Sequence, residues 1–310
     1  MKYQKAMEPV LVSKLQQEFR RDPEALIRRE EALYHAKIQN VCDEILASGA
    51  HIILLTGPSA SGKTTTALQI LQQLKEQGKK GCRISLDDFY KNNEDQPVWS
   101  DGRPNFESVE SMDLDCFHNK IEELFQTGKS QFPMFDFSIG RRSEQTLSMT
   151  YDKETYLVFE GINALNPLLS QQLEGHRIVR IYVSVHSDFL DDHGDLVIKA
   201  RNLRLMRRLL RDSVHRNSDA LRILDLWKYV RMGEKLYIKP YRQLADIHIN
   251  STHRYEPFIY GERTRKLLLP LLDHPEYGEL AQTILTGCES FESLSADYVP
   301  EHSLIQEFIR

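Results

Sequence analysis

The chain of 310 residues is poor in cysteine: Cys42, Cys82, Cys116 and Cys288 are its four, and no two form a C-x-x-C pair. That spacing excludes a zinc ribbon or a disulfide framework and reads as reduced thiols in a cytoplasmic protein. No apolar run reaches transmembrane length, and the opening MKYQKAMEPVLVSK has no apolar signal segment. A soluble protein with no membrane partner is therefore expected. Positive charge is not in excess either. Lys and Arg number 40 against 45 Asp and Glu, a net charge of −5 with pI ≈ 6.1, which argues against a general nucleic-acid partner. Internal repeats and low-complexity tracts are missing. The 41 % of hydrophobic residues suffice for one large α/β domain with appendages, or for two small domains.

What the chain does contain is concentrated in residues 51–66, HIILLTGPSASGKTTT. Ile52, Ile53, Leu54 and Leu55 are wholly apolar, as in a parallel strand buried on both faces. Gly57, Pro58, Ser59, Ala60, Ser61, Gly62, Lys63 and Thr64 then fit G-x-x-x-x-G-K-[ST], the P-loop pattern. Small residues let the backbone N–H groups of this loop turn inward onto phosphate oxygens, and a helix entered at Thr65 adds its positive end. Lys63 reaches the β/γ-phosphates and Thr64 offers a hydroxyl to Mg²⁺. The chain is expected to bind a nucleoside triphosphate.

Around the loop, strands are predicted at 82–86, 155–159, 178–185 and 246–251. Helices are predicted at 65–77, 113–127 with Asp113 as N-cap, 201–212, 219–231, and 262–272 interrupted by Pro270. Residues 91–107 read as a long loop, 133–142 as irregular, 186–200 as a polar loop, and 290–310 carry weak signals. The result is an α/β P-loop NTPase with a mostly parallel sheet and helices on both faces. A helical arm (1–50) precedes a P-loop domain (51–310), which includes a lid region at about 186–218. In the arm, Asp22, Pro23 and Glu24 open a helix whose stripe is Ala32, Leu33, Ile38, Val41, Ile45 and Leu46. The arm is either a cap packed on the main domain or a partner or homo-oligomer element.

In such a fold ligands sit beyond the carboxyl ends of the strands. Asp87 and Asp88 end the second strand, either as a solvated turn or as carboxylates that orient a hydroxyl nucleophile, accept its proton and help hold Mg²⁺. Glu160 ends the third, where it either caps a turn or stands at Mg²⁺ opposite Thr64. Arg201, Arg204, Arg208 and Arg211 recur at helical spacing, with Arg207 beside them and Arg216 following. They are a nucleic-acid face, a solvated surface, or a lid closing on the triphosphate, and the acidic balance favours the lid. His186, Asp188, Asp191, Asp192 and His193 lack metal-ligand spacing and read as a polar loop. The chain has no N-K-x-D box, which argues against a GTPase switch. It also has no V-A-I-K, H-R-D and D-F-G set, so it is not a protein kinase.

With the P-loop, the ISLDDFY stretch at 84–90, PMFDF at 133–137, FEGI at 159–162 and RRLLRD at 207–212 in order, the chain resembles the uridine kinase/phosphoribulokinase family of P-loop small-molecule kinases. It looks most like a bacterial branch of uridine kinase-like nucleoside kinases. Some members of that branch carry an extra N-terminal domain like one in threonyl-tRNA synthetase, for which residues 1–50 are too short. The resemblance implies ATP and Mg²⁺ as cofactors and a small-molecule acceptor, a nucleoside, phosphorylated on its 5′-hydroxyl. It implies Asp87 as the catalytic aspartate, Thr64 and Glu160 at Mg²⁺, and Arg208, Arg211 and Arg216 on the ATP phosphates. Arg142 is placed like an arginine that contacts the nucleoside, and Asp88, Tyr90, Glu107 and Phe135 lie in the acceptor segments. There the chain departs from the pattern. Phe135 and Gly140 replace a tyrosine and a histidine, and Glu107, in NFESVE, replaces an aspartate that grips the ribose. The phosphoryl-transfer half matches, and the acceptor half is altered.

Overall fold

The computed structural model describes residues 9–137, 139–173 and 175–310. In chain order its elements are β1 (Val10–Leu11), α1 (Val12–Arg21), α2 (Pro23–Ser48), β2 (Ile52–Thr56), α3 (Lys63–Glu76) and β3 (Lys80–Ser85). There follow α4 (Leu114–Thr127), β4 (Lys129–Asp136), β5 (Arg141–Thr150), β6 (Thr155–Glu160), α5 (Pro167–Ser170) and β7 (Ile178–Ser184). The last are β8 (Phe189–Leu190), β9 (Leu196–Ile198), α6 (Ala200–His215), α7 (Ala220–Gly233), β10 (Ile247–Asn250), α8 (Glu256–Leu268), α9 (Gly278–Glu289) and α10 (Gln306–Ile309).

Five strands form a parallel sheet in the order β10-β7-β2-β6-β3, with the P-loop strand in the centre. Both faces are covered, so strand residues alternate between two cores rather than between core and water. Ile53 and Leu55 of β2, with Tyr156 and Val158 of β6, face a core built from the arm, α3, α6, α8, α9 and the C-terminal segment. Ile52, Leu54, Leu157 and Phe159 face a second core of Phe89, Phe117, Ile121 and Phe132.

The arm lies against the first core. Asp22 caps α2 by accepting from Ala25 N at 2.8 Å, Pro23 occupies its first turn, and Gly49 ends it at φ 65°. The buried stripe is Leu26, Ile27, Tyr34, Ile38, Val41, Cys42 and Ile45; Ala32 and Leu33, expected in it, lie off that line and are exposed.

Several expectations are corrected. The stretch 133–142 is not irregular: β4 and β5 form an antiparallel hairpin, with the register shifting between Pro133 and Phe135 where proline offers no N–H. The polar loop 186–200 holds a second small hairpin, β8 and β9, whose first strand pairs in parallel with β1. The helix expected at 262–272 starts at Glu256 and ends at Leu268, with Pro270 in a following turn. Helix α9 is additional; Ala281, Ile284, Leu285 and Cys288 give it an apolar stripe, while Gly278 and Gly287 obscure it in the sequence. Those glycines are close approaches: a Cβ would meet Leu272 O at 2.3 Å and Val197 O at 2.5 Å, respectively.

Helix α6 is not a solvated surface helix. Arg204, Arg207 and Arg208 are all buried. Arg204 pairs with Glu234, and Arg207, with no solvent exposure, donates to Glu256 Oε1 at 2.6 Å and Oε2 at 2.7 Å. Arg207→Ala would leave the Glu256 carboxylate buried and unpaired, so we expect a loss of about 3–5 kcal/mol in urea unfolding. Arg201→Ala, at an exposed position without an ion pair among the described residues, should change stability by less than about 0.5 kcal/mol.

Candidate active site

The five strands end on one side, and the P-loop emerges there from β2. Gly57 cannot carry a side chain, because a Cβ would lie 2.0 Å from Val183 O on the neighbouring strand. Ala60 sits at φ 59° and Gly62 at φ 85°, so the loop turns left-handed twice before α3 begins at Lys63. Behind the loop, Ser251 Oγ donates to Ser61 O at 2.6 Å. The Ser61 hydroxyl is buried without a partner among the described residues.

Glu160, at the end of β6, accepts from Thr64 Oγ1 at 3.1 Å and from Arg83 at 3.1 Å. Asp87, just past β3, faces the same space. Desolvation raises the proton affinity of both carboxyls, and Asp87 raises that of Glu160 further. Lys63 and Arg83 pull both down, and Arg216 and Arg211 act on Asp87 as well. Thr64, Asp87 and Glu160 thus bring hard oxygens together in a crevice where two like charges face each other. That donor set fits a Mg²⁺ that keeps its waters and phosphate oxygens rather than one caged by protein. Among the described residues no cluster of three or more His, Cys, Asp or Glu could enclose a metal, and the 186–193 group forms none.

Arg208 donates to Ser59 Oγ of the P-loop at 2.9 Å, and burial lowers its pKa to about 10. Arg211 and Arg216 stand beside it, all three grouped around Asp212. Arg201, Arg204 and Arg207 belong elsewhere, so the even spacing of the arginines overstated a common face. Thr65, expected to meet the nucleotide, donates to Glu307 Oε2 at 2.7 Å.

The acceptor side is formed by the loop after β3 and the β4–β5 hairpin. Asp88 Oδ1 accepts from Phe135 N at 3.2 Å, which ties the hairpin to the turn that carries Asp87. Tyr90 presents its edge or face to Phe106, Phe135 and Phe137 at ring separations of 5.8–6.2 Å, and its hydroxyl donates to Phe106 O at 3.1 Å. Gly140, at φ 66°, has no room for a side chain: the Asn93 carboxamide lies 1.9 Å from where its Cβ would be. Arg142 donates to Asp113 Oδ2 at 3.0 Å and to Phe89 O at 3.3 Å, so its guanidinium is bound to the start of α4. Glu107, like Arg142 Nε, is left unmatched among the described residues. Its Oε2 is buried without a hydrogen-bond partner among the described residues, and desolvation lifts its pKa to about 7 against the pull of Arg208 and Lys63.

Sequence reasoning missed the supports: Arg83, Asp212, Ser251 and Glu307. Asp212 had a usable signal, an acid one turn from Arg208 and adjacent to Arg211. The others meet the site only through the fold.

The family model for the Phosphoribulokinase / Uridine kinase family matches residues 52–256. The chain belongs to that family. With it come phosphotransferase chemistry on an alcohol and the use of ATP. The uridine kinase of Bacillus pumilus is 26 % identical over 199 residues, covering 64 % of this chain and 85 % of that protein. The uridine-cytidine kinase-like 1 protein of Mus musculus is 30 % identical over 202 residues, 64 % of this chain and 33 % of that one. Among solved structures, a putative fructose transport system kinase from Silicibacter sp. TM1040 superposes with a TM-score of 0.52 at 17 % identity. It covers 68 % of this chain and 98 % of that one, a likeness of fold. Among the described residues no helix is long and apolar enough to cross a membrane.

The raised pKa of Glu107 has a definite sign in stability. Between about pH 4.5 and 7 the folded protein keeps a proton there that the unfolded chain has released. Stability from this group is therefore full below about pH 4.5 and declines as pH rises to about 7. Thermal melts of Glu107→Gln against the parent should show a relative gain for the variant that grows across that interval and levels off above it.

Proposed function

We propose that the protein transfers the γ-phosphate of ATP, with Mg²⁺, to the 5′-hydroxyl of a nucleoside, as uridine and cytidine kinases do. The observation that carries the reading is the convergence of Lys63, Arg208, Asp87 and Glu160 at the strand ends, beside a crevice with aromatic walls and the free carboxyl of Glu107. Phosphoryl transfer asks for positioning and charge neutralisation more than for covalent chemistry. Lys63 and the P-loop amides hold the β/γ-phosphates; Arg208, Arg211 and Arg216 balance charge on the transferring group. Asp87 orients the acceptor hydroxyl and takes its proton. Its raised proton affinity brings it nearer to the operating pH as a base. Mg²⁺, held by Thr64 and Glu160 with help from Asp87, would supply charge neutralisation at the phosphate oxygens.

On the acceptor side, the ring edges of Tyr90 and Phe135 offer a stacking wall, and Glu107 can accept from sugar hydroxyls. A second reading, a non-nucleoside alcohol such as a sugar phosphate or a pantothenate-like acid, is favoured by two features. Arg142 is engaged with Asp113, and Asn93 fills the space over Gly140. A protein that binds nucleotide without turnover, acting as a regulator, is the remaining alternative.

A coupled ADP-release assay against uridine, cytidine, other nucleosides, ribulose 5-phosphate and pantothenate separates these readings. Turnover with uridine or cytidine is expected. Turnover only with another acceptor would discard the nucleoside. In the active combination, Asp87→Asn should lower kcat by about 10²–10⁴-fold. Its Kd for ATP should stay within about threefold of the parent, since the P-loop contacts persist. Stimulation by no acceptor, with ATP still bound, would leave the regulatory alternative.

A further inference from the structure

Asp212 is 3 % exposed and lies under three guanidiniums. Its Oδ1 is 2.8 Å from Arg211 Nε and 3.6 Å from Arg216 Nε, and its Oδ2 is 3.3 Å from Arg208 Nε. Only Arg211 donates a hydrogen bond from Nε; Arg208 Nε, without a hydrogen-bond partner among the described residues, and Arg216 Nε stand at ion-pair distance. In each pair Nε is the nitrogen nearest the carboxylate, with the terminal nitrogens farther from it. Arg208 uses NH1 on the P-loop hydroxyl of Ser59 at 2.9 Å. Arg211 NH2 is buried without a partner among the described residues. Arg216 lies over the ring of Phe137, 5.6 Å from its centroid, and so reaches the acceptor hairpin. Three positive charges held this close repel one another, and one carboxylate cancels only one of them. The Asp212 backbone takes part as well: its carbonyl accepts from Arg216 N at 3.2 Å and Ser218 N at 3.1 Å, which fixes the turn that brings Arg216 back.

We propose that Asp212 is a positioning residue that holds Arg208, Arg211 and Arg216 as one fan with their terminal nitrogens directed at the transferring phosphate. The inference rests on the kinase reading above and makes a prediction opposite to that of net charge. Neutralising Asp212 adds one positive charge next to a polyphosphate, so attraction alone would tighten ATP binding and preserve or raise the rate. If Asp212 sets geometry, binding holds or tightens while transfer slows, because catalysis depends on alignment in the transition state and not on attraction in the ground state.

The experiment uses the full chain as wild type, Asp212→Asn and Asp212→Glu. It reads Kd for ATP–Mg²⁺ by calorimetry, kcat with the active acceptor, melting temperature, and the arginine Nε–H signals of the ATP-bound protein by NMR. We expect Asp212→Asn to keep Kd within about threefold of wild type, or to tighten it, while kcat falls about tenfold or more. Asp212→Glu, which keeps the charge one methylene farther out, should recover part of the rate. A kcat within about threefold of wild type in Asp212→Asn overturns the proposal, as does a parallel loss of nucleotide affinity, melting temperature and kcat. Should Asp212→Asn not fold, Asp212→Glu decides: a partial loss of kcat at unchanged Kd supports the proposal, and no loss overturns it. Should the wild type show no turnover, the kinase reading fails separately and the NMR signals decide. A slowly exchanging Arg211 Nε–H signal present in wild type and lost in Asp212→Asn supports positioning; its absence from wild type or its retention in the variant overturns it.

Discussion

Arg207 has no contact with solvent, and a charge so placed must be met entirely inside the protein. Glu256 supplies the counter-charge through two hydrogen bonds, and Ser251 accepts through its hydroxyl at 3.1 Å and its carbonyl at 2.8 Å. The ring of Phe308 lies 4.9 Å away. Satisfying this one guanidinium therefore fixes α6 against the end of β10, the start of α8 and the C-terminal segment. The consequence reaches the site directly, because the Ser251 hydroxyl that accepts from Arg207 donates in turn to Ser61 O of the P-loop. The loop that cradles phosphate is thus anchored from behind by a buried ion pair. The same helix, one residue further on, sends Arg208 over the loop to Ser59.

How much of this could be read from the sequence follows from how local each signal is. The P-loop, its strand and its helix are local: a four-residue apolar run, glycines at fixed offsets, and a helix-forming segment. Asp87 and Glu160 were legible because strand ends in a parallel sheet point at the ligand crevice. The hairpin at 129–150 was not, because Pro133 lies at the register shift and masks the alternation on either side. Helix α9 was not, because its two glycines, needed for close approach to neighbouring backbone, look like breakers. The arginines of α6 show the limit of periodicity. Spacing put Arg201, Arg204, Arg208 and Arg211 on one face with Arg207 beside it, while the fold leaves Arg201 exposed and pairs Arg204 with Glu234, Arg207 with Glu256, and Arg208 and Arg211 with Asp212.

The two halves of the site differ in how their polar groups are settled. On the phosphate side Thr64, Glu160 and Arg208 have defined partners that phosphate or a cation can displace or join, while the Ser61 hydroxyl and Arg211 NH2 have none among the described residues. On the acceptor side Arg142 is consumed by Asp113 and Phe89, the space over Gly140 is filled by Asn93, and the walls are aromatic. What remains is Glu107, desolvated and unpaired, with its stem against Gly233 of α7, where a Cβ would come within 2.2 Å of Glu107 Cβ. A buried carboxyl kept without a partner costs stability, and such a cost is ordinarily tolerated where a ligand completes the group. The longer side chain than an aspartate places that carboxyl farther from its backbone, so the acceptor it completes need not have the shape of the one the family pattern implies.

The matched family segment, 52–256, leaves out both the arm and the C-terminal segment, yet the arm meets the first turn of α3 and the C-terminal segment meets the P-loop itself. From the arm, the Tyr34 hydroxyl is 2.7 Å from Thr66 Oγ1, which itself donates to Gly62 O. From the other end, Leu304 occupies the space where a Gly62 side chain would point, and Glu307 accepts from Thr65. The two segments also meet each other, through Ser303 Oγ donating to Glu31 Oε1 at 2.7 Å. A phosphate-binding loop works by holding its amides in place before the ligand arrives, so that binding does not have to supply the ordering. Here the first turn of α3 is clamped from two directions by elements that lie far apart in sequence. The chain outside the family core is therefore part of what keeps the loop in shape, and the kinase core and its flanks are one packed unit around α3.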